Sequence, residues 1–228
     1  MNRDGTLAPM AAVRTGTRTR VLALRHGESE WNAVGRWQGQ ADPPLTDAGM
    51  LQAVEAAKLL GLFDGVYASS LQRAANTAAI IAESLGIGPV QLMDDLMENA
   101  FGPWQGLTIA EIEENWPGYL AAHRRPEGAE PIADVFSRGL RALRTIAAQH
   151  PGREALVITH AGVMRTLHRE LLIAKGVGDA TSQAKASLRF ANLGGCWFHV
   201  FEDGEVEIGE VVSLIDLESQ RPASGDTL

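Results

Sequence analysis

Two kinds of apolar spacing alternate along the 228-residue chain. The run Arg20-Val21-Leu22-Ala23-Leu24-Arg25 is apolar throughout between its arginines and gives way to polar residues and Gly27, as expected of a buried parallel strand that opens into a functional loop. From Thr46, a predicted N-cap, Met50, Val54, Ala57 and Leu60 recur at helical spacing and Gly61 follows, so a helix is expected there with those residues as its apolar stripe. Gly65-Val66-Tyr67-Ala68 reads as a second strand, Ser69-Ser70 as a helix-start signal, and residues 71–85 as a helix stopped by Gly86. A short extended piece, Val90-Gln91-Leu92-Met93, precedes a loop containing Gly, Pro and Trp and then short helical stretches broken at Pro117 and Pro126. That region reads as a cap. Ile132, Phe136, Leu140, Leu143 and Ala147 mark a longer amphipathic helix, and Ala155-Leu156-Val157-Ile158-Thr159 is another buried strand, ended by His160. Alternating runs over 196–201 and 206–212 predict a closing β-hairpin around Asp203-Gly204.

Strands that alternate with helices imply an α/β fold. The expected architecture is a three-layer sandwich, a mostly parallel sheet with helices on both faces and a small cap inserted after the third strand. The length suits one domain, taken here as residues 20–217, with a flexible extension over 1–19 and a flexible polar tail over 218–228. No apolar run approaches the roughly 20 residues needed to span a bilayer. The first twenty residues lack the apolar stretch of a secretory signal, and the single cysteine, Cys196, can form no internal disulfide; both fit a reducing cytoplasm. A net charge of -8 argues against a nucleic-acid footprint but leaves open a local cluster of arginines around a small anion.

In open α/β sheets ligands bind beyond the carboxyl ends of the strands. Strand one delivers Arg25 and His26 there, the second delivers Arg73 just inside a helix, the third is followed by Glu98, and a later one delivers His160. Singly, each has an ordinary structural reading as a surface ion pair, a core histidine or a solvated acid. Their joint position at strand ends favours phosphate chemistry. The planar forks of Arg25 and Arg73 match phosphate oxygens, and a neutral imidazole at His26 is a competent nucleophile toward phosphorus. His160, at an expected helix N-terminus, stabilises a transferring phosphoryl group, while Glu98 protonates the leaving oxygen and later activates water. His123, His150, His168 and His199 lack such a context, and Trp31, Trp37 and Trp104 are read as walls.

The run Leu24-Arg25-His26-Gly27-Glu28-Ser29-Glu30-Trp31-Asn32 closely resembles the signature of the histidine phosphatase superfamily, in the branch that includes cofactor-dependent phosphoglycerate mutases and broad-specificity phosphatases. Further motifs carry the resemblance from about Val21 to Leu172: Gln38-Gly39, Asp42 with Leu45-Thr46 and Gly49, Ser69-Ser70-Leu71-Gln72-Arg73-Ala74 with Thr77, Glu98 with Gly102 and Gly106, and Thr159-His160-Ala161-Gly162. The resemblance implies that His26 is phosphorylated, that Arg25, Arg73 and His160 bind the phosphoryl group, and that Glu98 transfers protons. It also implies that Asn32, Gln38 and Gly39 touch substrate, with no metal or other cofactor.

Mutases of this branch typically follow the catalytic glutamate with Arg-His-Tyr-Gly and carry a lysine in the next helix. This chain has Asn99-Ala100-Phe101-Gly102 and no lysine in Leu107-Thr108-Ile109-Ala110-Glu111, which favours a phosphatase. Arg124-Arg125 falls near an arginine pair that grips substrate in the mutases, so both residues are candidates for substrate binding and mutase activity stays the alternative. A silent phospholigand-binding module is the rival from another class, and it would be expected to lack the nucleophile or the acid. The expected partner is a small phosphorylated metabolite, with neither nucleic acid nor membrane; a homo-oligomer is compatible with the sequence.

Overall fold

The computed structural model describes residues 16–176 and 188–215. Its strands are β1 (Arg18–Arg25), β2 (Gly65–Ser69), β3 (Gln91–Met93), β4 (Glu154–Thr159), β5 (Gly194–Phe201) and β6 (Val206–Ser213), hydrogen-bonded in the order β3-β2-β4-β1-β5-β6. The pairs from β3 to β1 are parallel; β5 runs antiparallel to β1, and β6 to β5. The expected hairpin therefore closes the sheet beside the first strand. β1 begins two residues ahead of the apolar run. The proposed tail, and residues 1–15 of the proposed extension, lie outside the described residues.

The central strands are apolar at successive positions because each face meets a helical layer. Val21, Ala23, Ala155 and Val157 enter one core with Val135, Ala142, Leu143 and Ile146 of α5 (Ile132–Gln149) and Val163, Met164 and Leu167 of α6 (Ala161–Ala174). Leu22, Leu24, Leu156 and Ile158 enter the other with Ala53, Ala56 and Ala57 of α2 (Asp47–Ala57) and Ala74, Ala78 and Ile81 of α3 (Gln72–Leu85). Two caps agree with the sequence: Thr46 Oγ1 accepts the Gly49 N–H at 3.0 Å, and Gly86 ends α3 at φ 66. The left-handed cap costs least at glycine, which has no Cβ.

The expected stripe of α2 is corrected. Met50 and Val54 are exposed, the helix ends at Ala57 before Leu60, and its inward face is Gly49, Ala53, Ala56 and Ala57. Small side chains let α2 come close to its neighbours, and the larger apolar ones are left outside. After β3, the chain makes 3-10 turns at Asp94–Leu96 and Gly102–Trp104 and the short α4 (Ile109–Asn115). Trp104, Ile112 and Leu120 form a separate small core there, with Trp37, Phe101 and Trp116 packed against it, so the inserted cap has its own apolar centre. Residues 117–126 make turns rather than the expected further helix.

At the parallel-to-antiparallel junction β5 lies so close to β1 that a Cβ on Gly195 would overlap the Ala23 carbonyl, whereas Gly61 has open space around it. Gly195→Ala is expected to destabilise the fold by about 2 kcal/mol or more, since backbone has to move. Gly61→Ala should stay within about 0.5 kcal/mol. Urea unfolding of both variants checks the contrast.

Candidate active site

Arg25 lies opposite Thr159 in the β1–β4 ladder, and the His26 N–H extends it by donating to Thr159 O at 3.0 Å. His26 and His160 therefore leave adjacent strands side by side, with ring centroids 5.1 Å apart. Across β4, Ala68 pairs with Ile158, and Ser69 Oγ comes within 2.8 Å of His160 Nε2.

The contacts of His26 define its tautomer. Nδ1 is 2.6 Å from Gly27 O, and a carbonyl only accepts, so the proton sits on Nδ1. Arg73 Nε donates to Nε2 at 3.3 Å, so Nε2 carries the lone pair. Burial, then the Arg73 and Arg25 guanidinium charges, hold His26 well below its ordinary value of 6.5. His160 is lowered in the same direction by burial first, then by Arg73, His26, Arg25 and Arg138. Its Nδ1 is buried with no hydrogen-bond partner among the described residues.

Arg73 is wholly buried. Its Nη1 donates to Ala41 O at 2.7 Å and its Nη2 to Gly39 O at 2.8 Å, with Asp42 Oδ1 3.9 Å away. Burial pushes its pKa down to about 10, so the guanidinium keeps its charge at neutral pH. The same side chain thus ties the loop carrying Gly39 to the His26 imidazole. Arg25 Nη1 donates to Phe190 O at 3.0 Å. Ser29 caps the one-turn helix α1 (Glu30–Ala33), and its hydroxyl oxygen lies 3.0 Å from Asn32 Oδ1 and 2.9 Å from Gln38 Oε1, its one proton serving either amide oxygen.

Glu98 is buried, and both carboxyl oxygens accept backbone N–H groups: Oε1 from Asn99 at 2.8 Å and Oε2 from Gly162 at 3.0 Å. A Cβ on Gly162 would collide with Oε1, so the glycine two residues after His160 makes room for the Glu98 carboxyl at the α6 N-terminus. Each oxygen retains a second lone-pair direction for a proton.

These groups surround a cavity of about 60 Å³, room for a tetrahedral group of a few heavy atoms. Arg25, His26, Asn32, Gln38, Gly39, Arg73 and Glu98 line it. His160 is wholly buried beside His26 and is not among the lining residues. The candidates Arg124 and Arg125 do not line it: Arg124 is exposed and stacked over Tyr119 at 4.2 Å, and Arg125 sits over the Phe101 ring at 5.4 Å. Trp37, read as a wall from sequence, lines the cavity, as do Arg36, Phe101, Ala161 and Arg165, which the sequence did not single out as site residues. Arg165 had a local signal, since it stands one helical turn beyond Ala161 on the helix that His160 opens. Arg36, forked onto Glu111 at 3.0 and 3.4 Å, had none.

Residues 21–195 match the family model described as the histidine phosphatase superfamily, branch 1. The chain belongs to this superfamily. It is 36% identical over 170 residues to a metal-independent phosphoserine phosphatase of Arabidopsis thaliana, covering 70% of this chain and 71% of the relative. It is 34% identical over 168 residues to glucosyl-3-phosphoglycerate phosphatase of Mycobacterium tuberculosis, covering 67% and 75%. A solved structure of the mycobacterial glucosyl-3-phosphoglycerate phosphatase with VO3 superposes with a TM-score of 0.73 at 28% identity, covering 83% of this chain and 96% of that one. These histidine phosphatases are phosphoric monoester hydrolases, and phosphomonoester hydrolysis of that type is the chemistry of this chain. Among the described residues no helix is long and apolar enough to cross a membrane.

A depressed histidine stays neutral where an ordinary one takes up a proton. Nitrogen NMR of the unliganded enzyme at about pH 6 should show His26 uncharged and protonated on Nδ1, and an imidazolium there would refute the assignment. The unfolded chain binds protons that His26 and His160 refuse when folded, so their contribution is complete above 6.5 and is lost as pH falls below it. The urea midpoint should therefore drop from about pH 7.5 to about pH 5.5, and less so when both histidines are replaced.

Proposed function

We propose that this histidine phosphatase hydrolyses small phosphate monoesters without a metal, through a phosphohistidine on His26 Nε2. The observation that carries the reading is the Nδ1–H bond to Gly27 O, which leaves the lone pair on the nitrogen beside Arg73. Arg25, Arg73 and His160 hold the phosphoryl oxygens, and Asn32, Gln38 and Gly39 contact the ester. The Nε2 lone pair forms the N–P bond as the P–O bond to the alkyl group breaks, and Glu98 gives the departing oxygen its proton. Water then attacks phosphorus, Glu98 takes the proton back, and the N–P bond breaks to free inorganic phosphate and His26.

The relatives that act on phosphoserine and on glucosyl-3-phosphoglycerate support a small phosphorylated metabolite bearing a carboxylate as substrate. Transfer back to substrate, the mutase alternative, is disfavoured by Arg124 stacking away from the cavity. Burial pushes the Cys196 thiol up to about 12, so it stays protonated, and a cytoplasmic setting suits it.

Brief mixing with substrate and an alkaline quench should trap base-stable phosphate on His26, and His26→Ala should remain folded but inactive. Phosphate on serine or aspartate would overturn the mechanism. In single turnovers Glu98→Gln should slow phosphorylation by an alkyl phosphate by about 10² to 10⁴ while sparing nitrophenyl phosphate, whose leaving group needs no proton. Equal losses on both esters would remove the acid role. Separately, turnover should be unchanged after prolonged dialysis against a strong chelator, and a loss restored by a divalent cation would reassign the chemistry.

A further inference from the structure

Glu98 lies on irregular backbone between a 3-10 turn and the cap, without a ladder or helix to fix it. We infer that Arg138 of α5, in concert with Glu130, is the positioning residue that aligns the Glu98 carboxyl for proton transfer; this rests on the reading of Glu98 as the acid.

Arg138 reaches from α5 to the loop and spends its whole guanidinium there. Its Nη1 donates to Asp95 O at 2.9 Å and to Met97 O, and its Nη2 to Glu98 O at 3.1 Å. Nε and Nη2 also form a fork with Glu130 at 2.7 and 3.0 Å. Each of the five N–H groups of an arginine is then in use. The remaining carbonyl of the stretch, Leu96 O, accepts from Thr159 Oγ1 at 2.7 Å, so every carbonyl over 95–98 is bound by a side chain of α5 or β4. Glu130 secures the far side of the acid, accepting the Ala100 N–H at 3.1 Å. With side chains 11% and 17% exposed, the ion pair is screened little by water and holds a defined geometry. A lysine offers a point charge with three donors and cannot bridge these carbonyls and a carboxylate together.

Arg138 neither lines the cavity nor contacts His26; its charge reaches His160, but Arg138→Lys keeps that charge, so what the substitution removes is the grip on the Glu98 loop. An error of about 1 Å in a catalytic group can cost about 10²-fold. The full-length Arg138→Lys and Glu130→Gln variants, checked for folding by circular dichroism and thermal melting, are to be assayed in single turnovers with phosphoserine and with nitrophenyl phosphate. Phosphorylation by the alkyl ester should fall about 10- to 100-fold in Arg138→Lys, and by nitrophenyl phosphate less than about threefold. Glu130→Gln should show the same selectivity to a smaller degree. In a Glu98→Gln background, Arg138→Lys should add no further selectivity. A merely structural role would lower both rates together through the folded fraction, and that result in any folded variant overturns the inference. Selectivity in Glu98→Gln without selectivity in Arg138→Lys or Glu130→Gln defeats the positioning role alone. No selectivity in Glu98→Gln itself defeats the acid reading beneath it.

Discussion

Strand register moves in whole residues, and a one-step slip of β1 against β4 would exchange the faces on which all their side chains stand. Leu22 and Leu24 would then enter the core beneath α5 and α6, and Val21 and Ala23 the core beneath α2 and α3. Both cores are filled to fit one assignment. The same register sets Arg25 opposite Thr159, so that the next residue of each strand is a histidine and the two rings meet. Chemistry at the sheet edge is thus held by the packing that stabilises the sheet.

That edge collects positive charge in a place with little water. Arg73 is wholly buried, and burying a cation is costly unless its donors are satisfied. The Gly39 and Ala41 carbonyls meet that need, at the same time shaping the rim for an ester. Burial, reinforced by the charges of Arg73 and Arg25, keeps both imidazoles neutral, and those same charges are the ones a phosphate dianion would complete. One arrangement thereby combines positive charge for an anion with a neutral imidazole whose Nε2 lone pair is available. Glu98 faces this set from the cap side, its carboxyl held by the N–H of Asn99 beside it and by that of Gly162 at the start of α6. Glu98 and the two arginines thus reach one cavity from different elements, the loop after β3 on one hand and β1 and α3 on the other.

Much of this was legible along the chain because its causes are local. A continuous apolar run marks a strand between two layers, Thr46 and Gly86 mark helix ends through their own hydrogen bond and φ, and the residues just past β1 and β4 must emerge at the carboxyl edge. The sequence by itself determined the α/β class, the strands, and His26, Arg25, Arg73, Glu98 and His160 as one set. Tertiary structure decided what depends on distance between segments far apart in sequence. Helical spacing offered α2 a face with Met50 and Val54, yet the face that packs inward is Gly49, Ala53, Ala56 and Ala57, whose small side chains let the helix approach a core already filled by the larger residues of the sheet and α3. Arg124 and Arg125, neighbours in sequence, diverge onto different aromatic rings, whereas Arg36 and Arg165 converge on the cavity from a loop and a helix. Arg138 meets Glu98 across a gap of 40 residues, a pairing that neither periodicity nor motif encodes, because it exists only once α5 has docked on the sheet.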